Sequence, residues 1–271
     1  MEINLTGNRI QSIVKSILFC IAFTGFLALS SYFKTLLPVK FERFAYGIIG
    51  TIVALLVTWV FLLFDKKTFG DIGLKWEPKT VTRFFKGLVI GLVIAAIMIL
   101  ILLLFTNLKL KLSANYNIAQ FLVWTLAFVP LAFMEEVAFR AYPFLNLKSA
   151  TGIRITQIII AIMFALYHFV GGQSLFSSFL GPGVWAFVYG LAMIMSGGIS
   201  LPTGLHFGTN LILAATGFHK GFEPIWTFQS QTVITPEMQQ NIEAVGNTLQ
   251  ILLFLSTIGI MEWYIRKKNY R

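Results

Sequence analysis

Glu135 and Glu136 are adjacent, and Arg140 follows within one helical turn and a half, all inside the otherwise apolar run Phe121 to Leu145. That run is long enough to cross a bilayer. A charge at mid-membrane costs about 2.5–3.5 kcal/mol, so three in one run need compensation and by default mark a functional site. On a helix Glu136 and Arg140 are i, i+4 neighbours with the acid first, the better orientation for an ion pair. Glu135 lies about 100° away around the helix and is left over. A leftover carboxylate in an apolar setting is the natural candidate for a general base.

The chain has three histidines, and two fall in apolar runs. His168 ends the stretch Phe164-Ala165-Leu166-Tyr167-His168. The midpoint between it and Glu135 falls at Thr151-Gly152, the one strong turn signal between their runs. An antiparallel hairpin folded there would bring the two to the same depth, at most ~25 Å from the turn. His206 and Asn210 are again i, i+4 and project from one helical face. Gly204 and Gly208, read as sharing that face, would let another backbone or a substrate approach closely. His219 reads as an interfacial residue with no role.

A base, imidazoles and an amide donor suit hydrolysis of an amide bond. Glu135 with His168 would orient and deprotonate a water. His206 and Asn210 would hydrogen-bond the oxyanion. The chain lacks Gly-x-Ser-x-Gly and His-Glu-x-x-His, so serine hydrolases and zincins have no motif here. Zinc held by Glu135, His168 and His206 is chemically permissible. Otherwise no cofactor is expected.

Positioning these residues requires a membrane fold. The chain is 57% hydrophobic and only 12% charged, far from the soluble average. Repeated apolar runs of about 20 residues predict an all-α, polytopic membrane protein. Eight spans are expected: Ser12–Tyr32, Ala45–Phe64, Phe85–Phe105, Phe121–Phe144, Ile153–Val170, Val184–Met195, Ile199–Thr216 and Leu249–Ile265. Gly181-Pro182-Gly183 marks a break before the sixth, and Gly197-Gly198 and Pro202 interrupt the region after it. The whole of 1–271 reads as a single integral membrane domain, with 119–217 as its catalytic core helices. Phe218 to Thr248 is the longest segment outside the membrane, with Trp226 and Phe228 at the headgroups. Ala28-Leu29-Ser30 resembles a signal-peptidase site, but the apolar run around it is longer than a signal peptide's, so an uncleaved span is expected.

The net charge of +10 would suggest nucleic acid in a soluble chain. Here the basic residues lie between apolar runs, where lipid headgroups and topology explain them, so no nucleic acid partner is expected. An even span count puts both termini on one side. That side holds 14 of the 21 basic residues: Arg9, Lys15, Lys66, Lys67, Lys75, Lys79, Arg83, Lys86, Lys148, Arg154, Arg266, Lys267, Lys268 and Arg271. The other side holds Lys34, Lys40, Arg43, Lys109, Lys111 and Lys220, with Arg140 intramembrane. The bias predicts cytoplasmic termini. The single cysteine, Cys20, excludes an internal disulfide and reads as a small buried hydrophobe.

In order, Glu135-Glu136…Arg140, Phe164…His168 and His206…Asn210 resemble the pattern of the CAAX protease and bacteriocin-processing family, the type II CAAX prenyl endopeptidases and their bacterial relatives. The match covers Phe121 to Thr216. The resemblance implies a glutamate-dependent intramembrane endopeptidase with eight helices around a conical, cytosol-accessible cavity. In it Glu135 and His168 activate water, His206 and Asn210 form the oxyanion hole, and Glu136 and Arg140 support the site. Older descriptions treat the family as metalloproteases. Implied partners are the lipid bilayer and a peptide or prenylated protein substrate. The compact chain suits the plasma membrane of a bacterium, where bacteriocin processing or immunity is a role of the family. The alternatives are a non-catalytic immunity or scaffold protein and a proton-coupled secondary transporter. The latter should show matching broken segments in both halves, and they occur only in the second.

Overall fold

The computed structural model describes residues 5–219, 223–230 and 233–269. Lys220 and Arg271, counted above in the charge bias, lie outside them. Three long helices come first: α1 (Leu5–Ser30), α2 (Glu42–Asp65) and α3 (Thr80–Phe105). After a short strand β1 (Leu108–Leu112) come α4 (Ile118–Thr125), α5 (Phe128–Glu136), a π-helical turn over Val137–Ala141, and α6 (Tyr142–Val170).

Helix α6 reverses direction at Gly152, whose φ of 80° and ψ of 174° are open to glycine but not to a residue with a Cβ. Contacts on either side are symmetric about that point. Thr151 meets Thr156 at 3.3 Å, the Phe139 and Phe164 rings lie 5.0 Å apart, and Tyr167 reaches Glu135. The antiparallel hairpin expected from the turn signal at Thr151-Gly152 is therefore present.

The remaining helices are α7 (Leu175–Ser178), a second π turn over Phe179–Gly183, α8 (Val184–Ser196), α9 (Ser200–Ala215) and α10 (Pro236–Asn269). The expected break at Gly181-Pro182-Gly183 is a correction: the π turn carries the chain through into α8. Proline lacks an N–H and crowds an α-helical turn, and the wider π turn relieves both problems. Gly197, at φ 71°, ends α8 as expected of a C-terminal glycine.

Among the described residues six helical segments are long and apolar enough to cross a membrane, not the expected eight: Arg9–Leu36, Val39–Asp65, Thr80–Phe105, Ile118–Val170, Leu175–Ser196 and Pro236–Lys268. The fourth, 53 residues long, contains the hairpin folded at Gly152. Helix α9 has 16 residues, about 24 Å of rise against a hydrocarbon core of about 30 Å. The chain is an integral membrane protein built almost wholly of helices.

Two findings concern the loops. Within Phe218–Thr248, of which 220–222 and 231–232 lie outside the described residues, α10 begins at Pro236, with proline in its first turn and Glu237 beside it to favour the helix dipole. Its polar first turns hid it from a hydropathy reading. Trp226 and Phe228 sit on strand β2 (Trp226–Ser230), antiparallel to β1 with Leu112 opposite Trp226 and Leu108 opposite Ser230.

The face assigned to Gly204 and Gly208 is also corrected. They lie two residues either side of His206, about 200° around the helix from it. They face α3, where a Cβ on either would collide with the backbone of Phe84 or Leu88. Gly87 and Gly91 on α3 meet the carbonyls of Leu201 and Leu205 in the same way. The neighbour that needs the glycines is thus a backbone, not a substrate. Such small-residue seams let helices approach closely in lipid. Gly204→Ala and Gly91→Ala are each expected to cost about 1–3 kcal/mol through overpacking. Thermal unfolding in detergent should show this, with Gly259→Ala as control, because nothing lies within 4 Å of its Cβ position.

Polar ties hold the end of the molecule that carries the chain termini. Lys15 pairs with Asp65, which also accepts from Tyr142 at 2.8 Å. Asn146 donates to the Ser12 carbonyl and to Ser16, each at 3.0 Å. Arg154 and Glu262 form a two-pronged pair at 2.6 Å. These contacts place the Gly152 turn, the α2–α3 connection and both ends of the described chain on one side. Cys20 is buried among apolar side chains, as expected.

Candidate active site

Glu135 and Glu136 close α5, Arg140 stands in the π turn that follows, and His206 projects from the middle of α9 toward them. Glu136 binds on both sides. Its Oε1 lies 2.9 Å from His206 Nδ1 and its Oε2 lies 3.4 Å from Arg140 Nε. Both Glu136 and Arg140 have 0% exposure. The Arg140 guanidinium lies over the rings of Phe164 and Tyr189, at 4.3 and 5.2 Å from their centres. Tyr189 in turn stacks on the His206 imidazole at 4.4 Å. The ion pair expected between Glu136 and Arg140 is present, and Glu136 also orients His206, which the i, i+4 rule could not disclose.

Glu135 points elsewhere, as its angle on the helix requires. Its side chain is 13% exposed, with Oε2 3.7 Å from His206 Nε2. Tyr167 donates to Oε1 at 3.5 Å and is itself hydrogen-bonded to Tyr46. Oε2 has no hydrogen-bond partner among the described residues. The Glu135 residue lines a cavity of about 370 Å³ with Lys34, Tyr46, Tyr167, His168 and Gln173.

His168 and Gln173 also line a second cavity of about 450 Å³, shared with His206, Asn210 and His219. His168 Nδ1 lies 2.9 Å from the Phe164 carbonyl, which fixes that nitrogen as the donor and leaves Nε2 as an acceptor. Asn210 Oδ1 accepts from His219 Nε2 at 3.3 Å. The carbonyl end of the amide is thereby occupied, and the NH2 end is left to donate. Four of the six candidate residues border this pair of cavities, with Glu135 on one lobe, His206 and Asn210 on the other and His168 on both, while Glu136 and Arg140 are buried behind them.

Three residues escaped the sequence reading. His219 was given no role, yet it holds Asn210 and packs on Phe128, with ring centres 5.1 Å apart. It lies beyond the end of α9, so no helical spacing links it to Asn210. Tyr167 was visible: a phenol in an apolar helix beside His168 needs a partner. Tyr189 carried no signal in the sequence.

Burial, then the nearby Arg43 guanidinium and His206, push the His219 imidazole down from its usual 6.5 to about 4. Between those values the unfolded chain binds more protons than the folded one, so stability falls as the pH drops. The contribution is complete above the ordinary histidine range and is lost as the pH falls through about 4. His219→Gln should show a smaller acid-induced fall in unfolding temperature than the unsubstituted protein.

Among the described residues no three His, Cys, Asp or Glu side chains are arranged as metal ligands.

These features define a class: a polytopic helical membrane protein with a buried Glu–Arg–His cluster beside a cavity-facing carboxylate. Residues 117–212 match the family described as type II CAAX prenyl endopeptidase Rce1-like. That segment is similar to the family its three motifs resemble, and it contains all six candidate residues but not His219. No curated protein gives a significant match.

Proposed function

We propose that this protein is an intramembrane endopeptidase that hydrolyses a peptide bond in a membrane-associated or lipidated peptide or protein. The observation that carries the reading is Glu135: a cavity-lining residue whose Oε2 has no hydrogen-bond partner among the described residues and lies 3.7 Å from His206 Nε2. Glu135 takes a proton from water as the water oxygen attacks the scissile carbonyl, and His168 Nε2 helps to orient that water. The proton then passes to the departing amine.

His206 and Asn210 donate to the oxyanion. Geometry supports this role for His206: Nδ1 is held 2.9 Å from Glu136 Oε1, which turns Nε2 toward Glu135 and the reacting carbonyl. Glu136, held by Arg140, thus positions His206.

On this reading 119–217 is the catalytic core of a single membrane domain, and the two cavities together form its central chamber. No step is routed through a metal. Purified protein in detergent should cleave members of a quenched fluorescent peptide library, and a chelator should leave the rate unchanged. Loss of cleavage on chelation, with recovery on adding zinc, would overturn the metal-free mechanism. Absence of cleavage across the library would favour an immunity or scaffold role.

A further inference from the structure

Both cavities lead away from the side that holds the termini. The Glu135 cavity is rimmed by Ser31 and Lys34, just past α1, and by Gly171 and Gln173, just past α6. The Asn210 cavity is rimmed by Gln173, Phe218, His219 and Gly246, all on that same side. Toward the Gly152 turn the site is sealed: Phe139, Tyr142, Phe144 and Leu147 are buried, and beneath Glu135 so are Glu136 and Arg140. A cytosol-accessible cavity and cytoplasmic termini, both expected above, therefore cannot hold together.

Charge decides between them. Of the described basic residues outside the membrane, thirteen lie with the termini and five on the cavity side. The thirteen sit in short connections or close to helix ends, where the lysine and arginine bias sets orientation. Turning the protein over would translocate all thirteen.

We infer that the cavity opens to the extracytoplasmic face, so that its substrates are exported peptides or outer-leaflet segments of membrane proteins rather than cytosolic tails. The substrate half of this statement rests on the hydrolytic reading; the orientation half does not.

Cysteine accessibility tests the orientation. Cys20 is buried, so the unsubstituted protein serves as the unlabelled blank. Gln173→Cys and Lys67→Cys each add one thiol at an exposed position, the first at the cavity rim and the second beside the α2–α3 connection. A membrane-impermeant maleimide added to intact cells should label Gln173→Cys, while labelling of Lys67→Cys should require permeabilised cells. Protection of Gln173→Cys in intact cells would overturn the inference.

An impermeant fluorogenic peptide tests the substrate half. Right-side-out vesicles should cleave it and inside-out vesicles should not, and the reverse would overturn the inference. Labelled Gln173→Cys with no cleavage in either vesicle type would instead sink the hydrolytic reading and leave the orientation standing.

Discussion

Glu135→Gln is expected to lower peptide cleavage by about 10²–10⁴-fold, the range for removing a general base, with the protein still folded. The amide has the shape of the carboxylate and can still accept the Tyr167 hydroxyl hydrogen bond. It cannot take a proton from water. Folding should survive because Glu135 is not one of the two groups that neutralise each other: the Glu136–Arg140 pair is intact without it. The loss should appear in kcat with little change in KM, since the carboxylate acts on water rather than on the peptide. A rate within a factor of a few of the unsubstituted protein would remove Glu135 from the chemistry.

Arg140→Ala should do the opposite, destabilising the fold before any question of catalysis arises. Removing one partner of a buried ion pair typically costs about 3–5 kcal/mol, because the other charge is left uncompensated. Here the orphan would be Glu136, with 0% exposure, and the rings of Phe164 and Tyr189 would lose the guanidinium between them. Thermal unfolding in detergent should fall sharply. Combining Glu136→Gln with Arg140→Met removes both charges and keeps most of the volume, and should recover much of the stability. Cleavage should stay low in the double variant, because His206 would face a neutral amide instead of an ionised carboxylate. Recovery of both properties together would mean that the pair serves architecture alone.

Much of this site was legible before any coordinates, and the reasons are local. The i, i+4 spacing of Glu136 and Arg140 and the single strong turn at Gly152 are properties of consecutive residues. From them the ion pair and the depth of His168 follow directly. What stayed hidden depends on how separate helices face each other. The Glu136–His206 bond spans 70 residues, and nothing in either motif says which carboxylate the imidazole will meet. Sequence spacing suggested Glu135 with His168, whereas His206 is the imidazole 3.7 Å from Glu135. The β1–β2 pairing and the early start of α10 were missed because a hydropathy scan reads polar helix and strand alike as loop. The face of Gly204 and Gly208 follows from their offset of about 200° from His206, which the shared i, i+4 spacing of the two pairs masks.

The glycine seam between α3 and α9 has a mechanical implication. Where two backbones touch directly, no side chain stands between them that could switch rotamer and let the rods slide. His206 and Asn210 are therefore mounted on a composite beam, and their spacing from the rest of the catalytic apparatus is set by main-chain atoms. Any breathing that admits a polypeptide must come from walls other than this seam, while the proposed oxyanion donors stay fixed.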